Sequence, residues 1–154
     1  MDLIRYEASF AELDTATLYA LLKLRSDVFV VEQACAYPEL DGRDAEAGTR
    51  HLWLAPPNQP SRPSAYLRIL NEGEALRIGR VCTAPEARGQ GLQARLLAAA
   101  LQERPDAVYE LDAQSYLTGF YERFGFRVSG PEYVEDGIPH TPMTRRLART
   151  HSRG

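Results

Sequence analysis

The stretch from Thr83 to Leu97, TAPEARGQGLQARLL, decides how this chain is read. A strand-like run, Leu76 to Thr83, precedes it, and a helix-like run, Gly91 to Glu103, follows it. Between them, Arg88, Gly89, Gln90 and Gly91 form a turn. Glycines let the backbone bend and leave amide N–H groups uncovered by side chains. A helix beginning there adds unpaired N–H groups and the positive end of its dipole. The combination predicts an anion site, most naturally for a phosphate. It is not a Walker loop, because Gly91 is followed by Leu92 and Gln93 instead of Lys and Ser/Thr. It is also a weak dinucleotide fingerprint: Ala94 stands in the third glycine's place, and although Asp112 lies at a plausible distance for the acidic partner, the strand before the loop is not the first of the chain.

Outward from this turn the pattern is that of an α+β protein. Asp2 to Ala8 predicts a first strand with Leu3 or Ile4 inward, and Asp14 is the candidate N-cap of the next segment. Leu18, Leu21, Leu22, Arg25, Val28 and Phe29 recur at helical spacing to about Val31 or Glu32. Glu39 to Gly48 is acidic and predicts a surface loop with at most one helical turn. Arg50 to Ala55, Ser64 to Leu70 and Glu74 to Thr83 predict an antiparallel meander, with a proline-rich loop from Pro56 to Pro63. After the helix from Gly91, Val108 to Ala113 predicts a strand parallel to Leu76–Thr83, by the right-handed crossover rule. Ser115 is the expected cap of a last helix carrying Leu117, Phe120, Tyr121 and Phe124, with Gly125 just past its end. Phe126 to Ser129 and Thr141 to Ala148 predict strands on either side of a loop, Gly130 to Pro139. Residues 1–148 are expected to form one domain and residues 149–154 a frayed, disordered tail.

The 154 residues carry a formal net charge of −3, which argues against a nucleic-acid binder driven by bulk electrostatics. No apolar run has the length of a membrane span, and the N-terminus lacks a signal-peptide pattern. The two cysteines, Cys35 and Cys82, are too few for a disulfide framework or a metal site, and a cytoplasmic protein with no metal is the expectation.

Arg88, Gly91 and Gln93 fall on the marked positions of the R-x-x-G-x-G/A loop of the GNAT acetyltransferases. Gln93 departs from the pattern, which wants Gly or Ala. A second segment, LDAQSYLTGFYERFGF from Leu111 to Phe126, resembles the GNAT strand and helix that carry F-Y-x-x-x-G-F. Within the superfamily, VFVVEQ from Val28 to Gln33, RIL from Arg68 to Leu70 and EDGIPH from Glu135 to His140 resemble the ElaA-type proteins. The resemblance implies a GNAT fold: one mixed central sheet flanked by helices, with a splayed parallel strand pair. It implies direct transfer of an acetyl group from acetyl-CoA, as co-substrate, to a primary amine on a small molecule or peptide. Members of the superfamily are often dimers.

On that resemblance, Val81, Cys82 and Thr83 would pair with the pantetheine and polarise the thioester carbonyl. Arg88, Gly89, Gln90, Gly91, Leu92 and Gln93 would hold the pyrophosphate. Gln114 matches a position often held by Asn, and Tyr121 would be the general acid for the leaving thiolate. Glu32 and His140 are the candidate bases, histidine as a residue type being suited to base work near neutrality. Cys82 as an acetylated nucleophile stands against Cys82 as a small apolar filler. Glu39, Asp41, Asp44 and Glu46 are either a solvated loop or an attractor of cationic amines. Arg25, on an apolar helix face, must meet an internal acid or an acceptor carboxylate. His51 is expected to be structural, and His151 lies in the tail. Two other activities fit the same pattern: a CoA-sensing or protein-interaction module without turnover, and acyl-homoserine-lactone synthesis.

Overall fold

The computed structural model describes residues 2–147. The tail from 149 to 154, His151 within it, and the last residue expected of the final strand, Ala148, lie outside the described residues. Eight strands form one sheet: β1 Ile4–Ala8, β2 Arg50–Ala55, β3 Ala65–Asn71, β4 Leu76–Thr83, β5 Tyr109–Gln114, β6 Arg127–Val128, β7 Tyr133–Glu135 and β8 Ile138–Arg145. Their order is β1-β2-β3-β4-β5-β8-β6, with β7 also pairing β8. β1 to β4 run antiparallel, and β4 and β5 are the parallel pair, so the predicted α+β mixed sheet is present.

Three helices flank it: α1 Thr15–Ser26, α2 Leu92–Glu103 and α3 Thr118–Glu122. The Asp14 carboxylate accepts from the Thr17 N–H at 2.7 Å, a cap that contributes about 1 kcal/mol. Past Ser26, α1 continues as a π-helical turn, Asp27–Glu32, which carries the chain to the end expected at Glu32. α2 buries Leu92, Leu96, Leu97, Ala100 and Leu101, the stripe predicted from its spacing, and packs on β2, β3 and β4. Each such leucine contributes roughly 1.5–3 kcal/mol by leaving water. At β1, Leu3 packs against the core while Ile4 is exposed.

Three expectations need correction. Ser115 does not cap α3, because a 3-10 turn, Ser115–Leu117, intervenes; its hydroxyl meets the Thr141 hydroxyl at 2.8 Å instead, tying β5 to β8. Gly130 to Pro139 is not simply a loop. It holds β7 and a two-residue hairpin turn, Asp136-Gly137, both with positive φ (52° and 77°), the geometry that matches strand twist. The acidic segment after Tyr37 is not a solvated surface, because Glu39 and Asp44 are buried.

β4 is bulged. Its register against β3 slips between Tyr66 and Arg68, and Arg80 adopts φ 53°, a left-handed conformation that costs on the order of 1–3 kcal/mol for a non-glycine residue. After Arg77, ahead of the bulge, β4 parts from β5. The two strands register only at Leu76 with Tyr109 and Arg77 with Glu110.

Candidate active site

The parting of β4 and β5 opens a cavity of about 630 Å³. Its walls come from both strands, the π-helical turn, the β7–β8 hairpin and the start of α3. Of the site residues predicted from sequence, Glu32, Val81, Cys82, Thr83, Arg88, Gln93, Gln114, Tyr121 and His140 line it, whereas Gly89, Gln90, Gly91 and Leu92 are not among its lining residues.

The glycine turn lies between two of the lining residues, Arg88 and Gln93. Gly89 and Gly91 have φ of 80° and 70°, left-handed conformations that favour glycine, and a Cβ on either would meet nothing within 4 Å. Among the described residues, the N–H groups of Gly91, Leu92, Gln93 and Ala94 find no acceptor in the protein. Gly91 is the N-cap of α2 and caps it with no side chain. These bare donors at the positive end of a twelve-residue helix suit a phosphate. Gln93 turns away from them. Its Nε2 donates to the Cys82 carbonyl at 2.6 Å and to the Tyr66 carbonyl at 3.3 Å, so the side chain staples α2 to the sheet and leaves the anion turn clear. Its Oε1 is buried without a partner among the described residues.

Arg88 is already engaged. Its two terminal nitrogens donate to the two Glu32 carboxylate oxygens, each at 2.6 Å, and its Nε donates to the Thr83 carbonyl at 3.2 Å. The hydrogen bond from Arg88 holds the Glu32 carboxyl below its usual range, so Glu32 is a poor proton acceptor while this pair stands.

Deeper in, Tyr121 is 5 % exposed and its ring packs edge-on against Phe120 and Phe126. Burial, reinforced by Tyr116, pushes its hydroxyl up to about 12, which keeps it protonated near neutrality. No protein group among the described residues hydrogen-bonds that hydroxyl. Opposite, His140 stacks on Tyr133 with ring centres 5.7 Å apart and pairs across the sheet with Gln114. Its Nδ1 lies 2.8 Å from the Ile138 carbonyl, which can only accept. In the neutral ring the proton therefore sits on Nδ1, which leaves the lone pair on Nε2. Cys82 is buried and burial pushes its thiol up, with no histidine in hydrogen-bonding contact. That is the apolar filler and not an activated nucleophile.

Behind the cavity lies a set of partners that the sequence did not disclose. Arg25, fully buried, donates to Glu39 at 2.6 Å and in a fork to Asp44 at 2.7 and 3.1 Å. Arg68 donates to Asp41 at 2.6 and 3.0 Å and to Asp44 at 3.0 Å. Arg80 donates to Glu39 at 3.0 Å and to the Glu39 carbonyl at 3.0 Å. The Tyr37 hydroxyl also donates to Glu39. Burial alone would raise the Asp41 and Asp44 carboxyls, but the hydrogen bonds and charges of the arginines outweigh it, holding Asp41 well below its usual range and lowering Asp44 as well. His51 donates from Nε2 to the Asp44 carbonyl at 3.1 Å and accepts from the Tyr66 hydroxyl at 2.6 Å, and burial lowers its pKa. The acidic residues Glu39, Asp41 and Asp44 are thus counter-ions that fix the Tyr37–Asp44 segment against the bulge of β4. Asp41 and Glu46 stay exposed, Asp41 paired with Arg68 and Glu46 with Arg43. The one local signal was Arg25 on an apolar helix face.

The model of the acetyltransferase (GNAT) domain matches residues 26–147. The UPF0039 protein Rv2851c of Mycobacterium tuberculosis is 54 % identical over 138 residues, 87 % of either chain. Protein ElaA of Escherichia coli is 39 % identical over 146 residues, 89 % of this chain and 92 % of its own. Its crystal structure superposes with a TM-score of 0.87 over 94 % of this chain and 100 % of ElaA. An acyl-CoA N-acyltransferase from Pseudomonas aeruginosa superposes with a TM-score of 0.84 at 40 % identity, over 94 % and 99 % of the two chains. A strand pair parted over a cavity, bare amides opening α2 and matches over most of the chain lead to one conclusion: this protein belongs to the GNAT acetyltransferase family, in its ElaA-like branch.

Proposed function

We propose that the protein is an acetyl-CoA-dependent N-acetyltransferase that moves an acetyl group directly onto a primary amine. The observation that carries this reading is the parting of β4 from β5 after Arg77 and Glu110, which leaves the edge of Val81–Thr83 facing a cavity that holds both Tyr121 and His140. Acetyl-CoA supplies an activated thioester, whose acyl carbon forms an amide bond to the acceptor nitrogen as the C–S bond breaks. The chain supplies the rest. The N–H groups from Gly91 to Ala94 bind the diphosphate, and the edge of β4 orients the pantetheine. Tyr121 gives its phenolic proton to the departing sulfur. His140 takes the proton lost by the amine on Nε2, the nitrogen its hydrogen bond leaves free. His140 is preferred as the base because its Nε2 is left free on the cavity wall.

Calorimetry with acetyl-CoA, followed by thiol release across a panel of primary amines, tests the reading. Binding together with amine-dependent release of CoA is expected. Binding with no CoA released by any amine would favour a non-catalytic CoA-binding module, and no binding would remove both. In the pH–rate profile, His140→Ala is expected to lose the limb on the acidic side; an unchanged profile would exclude His140 as the base.

A further inference from the structure

The Arg88–Glu32 pair spans the mouth of the cavity and joins elements far apart in sequence, the end of the π-helical turn and the loop leading into α2. The guanidinium is fixed at the end of β4 by its Nε bond to Thr83, and both terminal nitrogens point at a single carboxylate. Glu32 has no other hydrogen-bonding partner among the described residues. Its partner Arg88 stands three residues before Gly91, where the unpaired N–H groups of Gly91 to Ala94 begin, and Glu32, Arg88 and Gln93 line the same cavity. Both side chains are 43 % exposed, so the pair contributes little to stability and exchanges easily. A diphosphate brought to this wall competes with Glu32 for the same fork, and the two anions repel if both stay.

We propose that Glu32 is an internal anion that holds the place of the coenzyme's diphosphate, so that seating of acyl-CoA exchanges Glu32 for phosphate on Arg88 and frees the Glu32 carboxylate to hold the ammonium form of the acceptor. The proposal rests on the acyl-CoA reading above. It makes Glu32 a positioning residue that sets the order of binding. Before acyl-CoA arrives, the carboxylate that would draw the amine is neutralised. Afterwards it is available on the cavity wall, next to the π-helical turn. The deprotonation itself stays with His140.

The test compares wild type with Glu32→Gln by calorimetry, using CoA and, separately, pantetheine, which lacks the diphosphate. Glu32→Gln is expected to bind CoA about threefold more tightly than wild type and to bind pantetheine equally well. In turnover, its KM for a primary amine is expected to rise several-fold while the acidic limb of the pH–rate profile remains. Equal or weaker CoA binding by the variant, or an equal gain for pantetheine, overturns the exchange. Loss of the acidic limb makes Glu32 the base and overturns its ammonium-holding role. Absence of any CoA binding to wild type removes the acyl-CoA reading itself and the exchange with it.

Discussion

Two arginines of this molecule each grip a carboxylate through a two-pronged fork, and they do opposite work. Arg25 is shut inside the protein with Glu39 and Asp44. Arg88 reaches across open cavity to Glu32. The bond lengths are nearly the same, 2.6–3.1 Å for the first and 2.6 Å for the second. What differs is the surroundings. Inside, neither partner has water to fall back on, so removing one strands the other. At the mouth, solvent or a stronger anion replaces the partner at little cost. The same chemical pair therefore builds a wall in one place and an exchangeable contact in the other.

That contrast breaks down first at Arg25. Arg25→Ala is expected to cost about 3–5 kcal/mol in urea denaturation or to prevent folding, because Glu39 and Asp44 lose their main counter-ion. A loss below about 1 kcal/mol would mean that Arg68 and Arg80 suffice. Next in size is Tyr121→Phe, expected to lower turnover by about a hundredfold with CoA affinity preserved. Unchanged turnover would remove the donor role and leave a packing residue.

A smaller effect is expected from pH. His51 is neutral in the fold with its pKa below the ordinary 6.5, so the unfolded chain binds the extra proton first as pH falls. Stability is then fully present above 6.5 and declines as pH drops from 6.5 toward the folded value. Thermal melts from pH 8 to 5 should show this, and His51→Gln should flatten it. A second decline belongs below 3.8, where Asp41 and Asp44, both depressed by their arginines, take up protons in the unfolded state first. The smallest effect sharpens the comparison from the other side. Arg88→Gln is expected to change stability by less than about 1 kcal/mol while weakening CoA binding, the reverse of the Arg25 pattern.

The parts of this architecture visible in the sequence are those with local periodicity. Alternation and turn residues gave the meander, the α2 stripe gave the helix that packs on it, and the strand-helix-strand order gave the parallel pair. The glycine turn and Tyr121 were legible because each sits at fixed spacing within its own segment. What escaped is held by partners far along the chain. Glu39 and Asp44 look like solvent-facing acids until Arg25, Arg68 and Arg80 come in from α1, β3 and β4. Glu32 finds Arg88 across 56 positions of sequence. Gln93 departs from the expected small residue, and only the sheet beneath it supplies the two carbonyls that account for the change. The β7–β8 hairpin was missed for a different reason: β7 is exposed along its length, so no alternation marked it, although Asp136-Gly137 is a hairpin dipeptide.

The short seam between β4 and β5 has a consequence for solvent exchange. A sheet zipped by two registered positions and then parted behaves as two panels on a narrow hinge. In deuterated buffer, those amides between Gly79 and Thr83 that face away from β3 should label quickly in the free protein, while those of Leu52 and Leu67 in the closed panel label slowly. A ligand that completes the ladder would slow the first group selectively, so the position of protection along β4 maps where its chain lies.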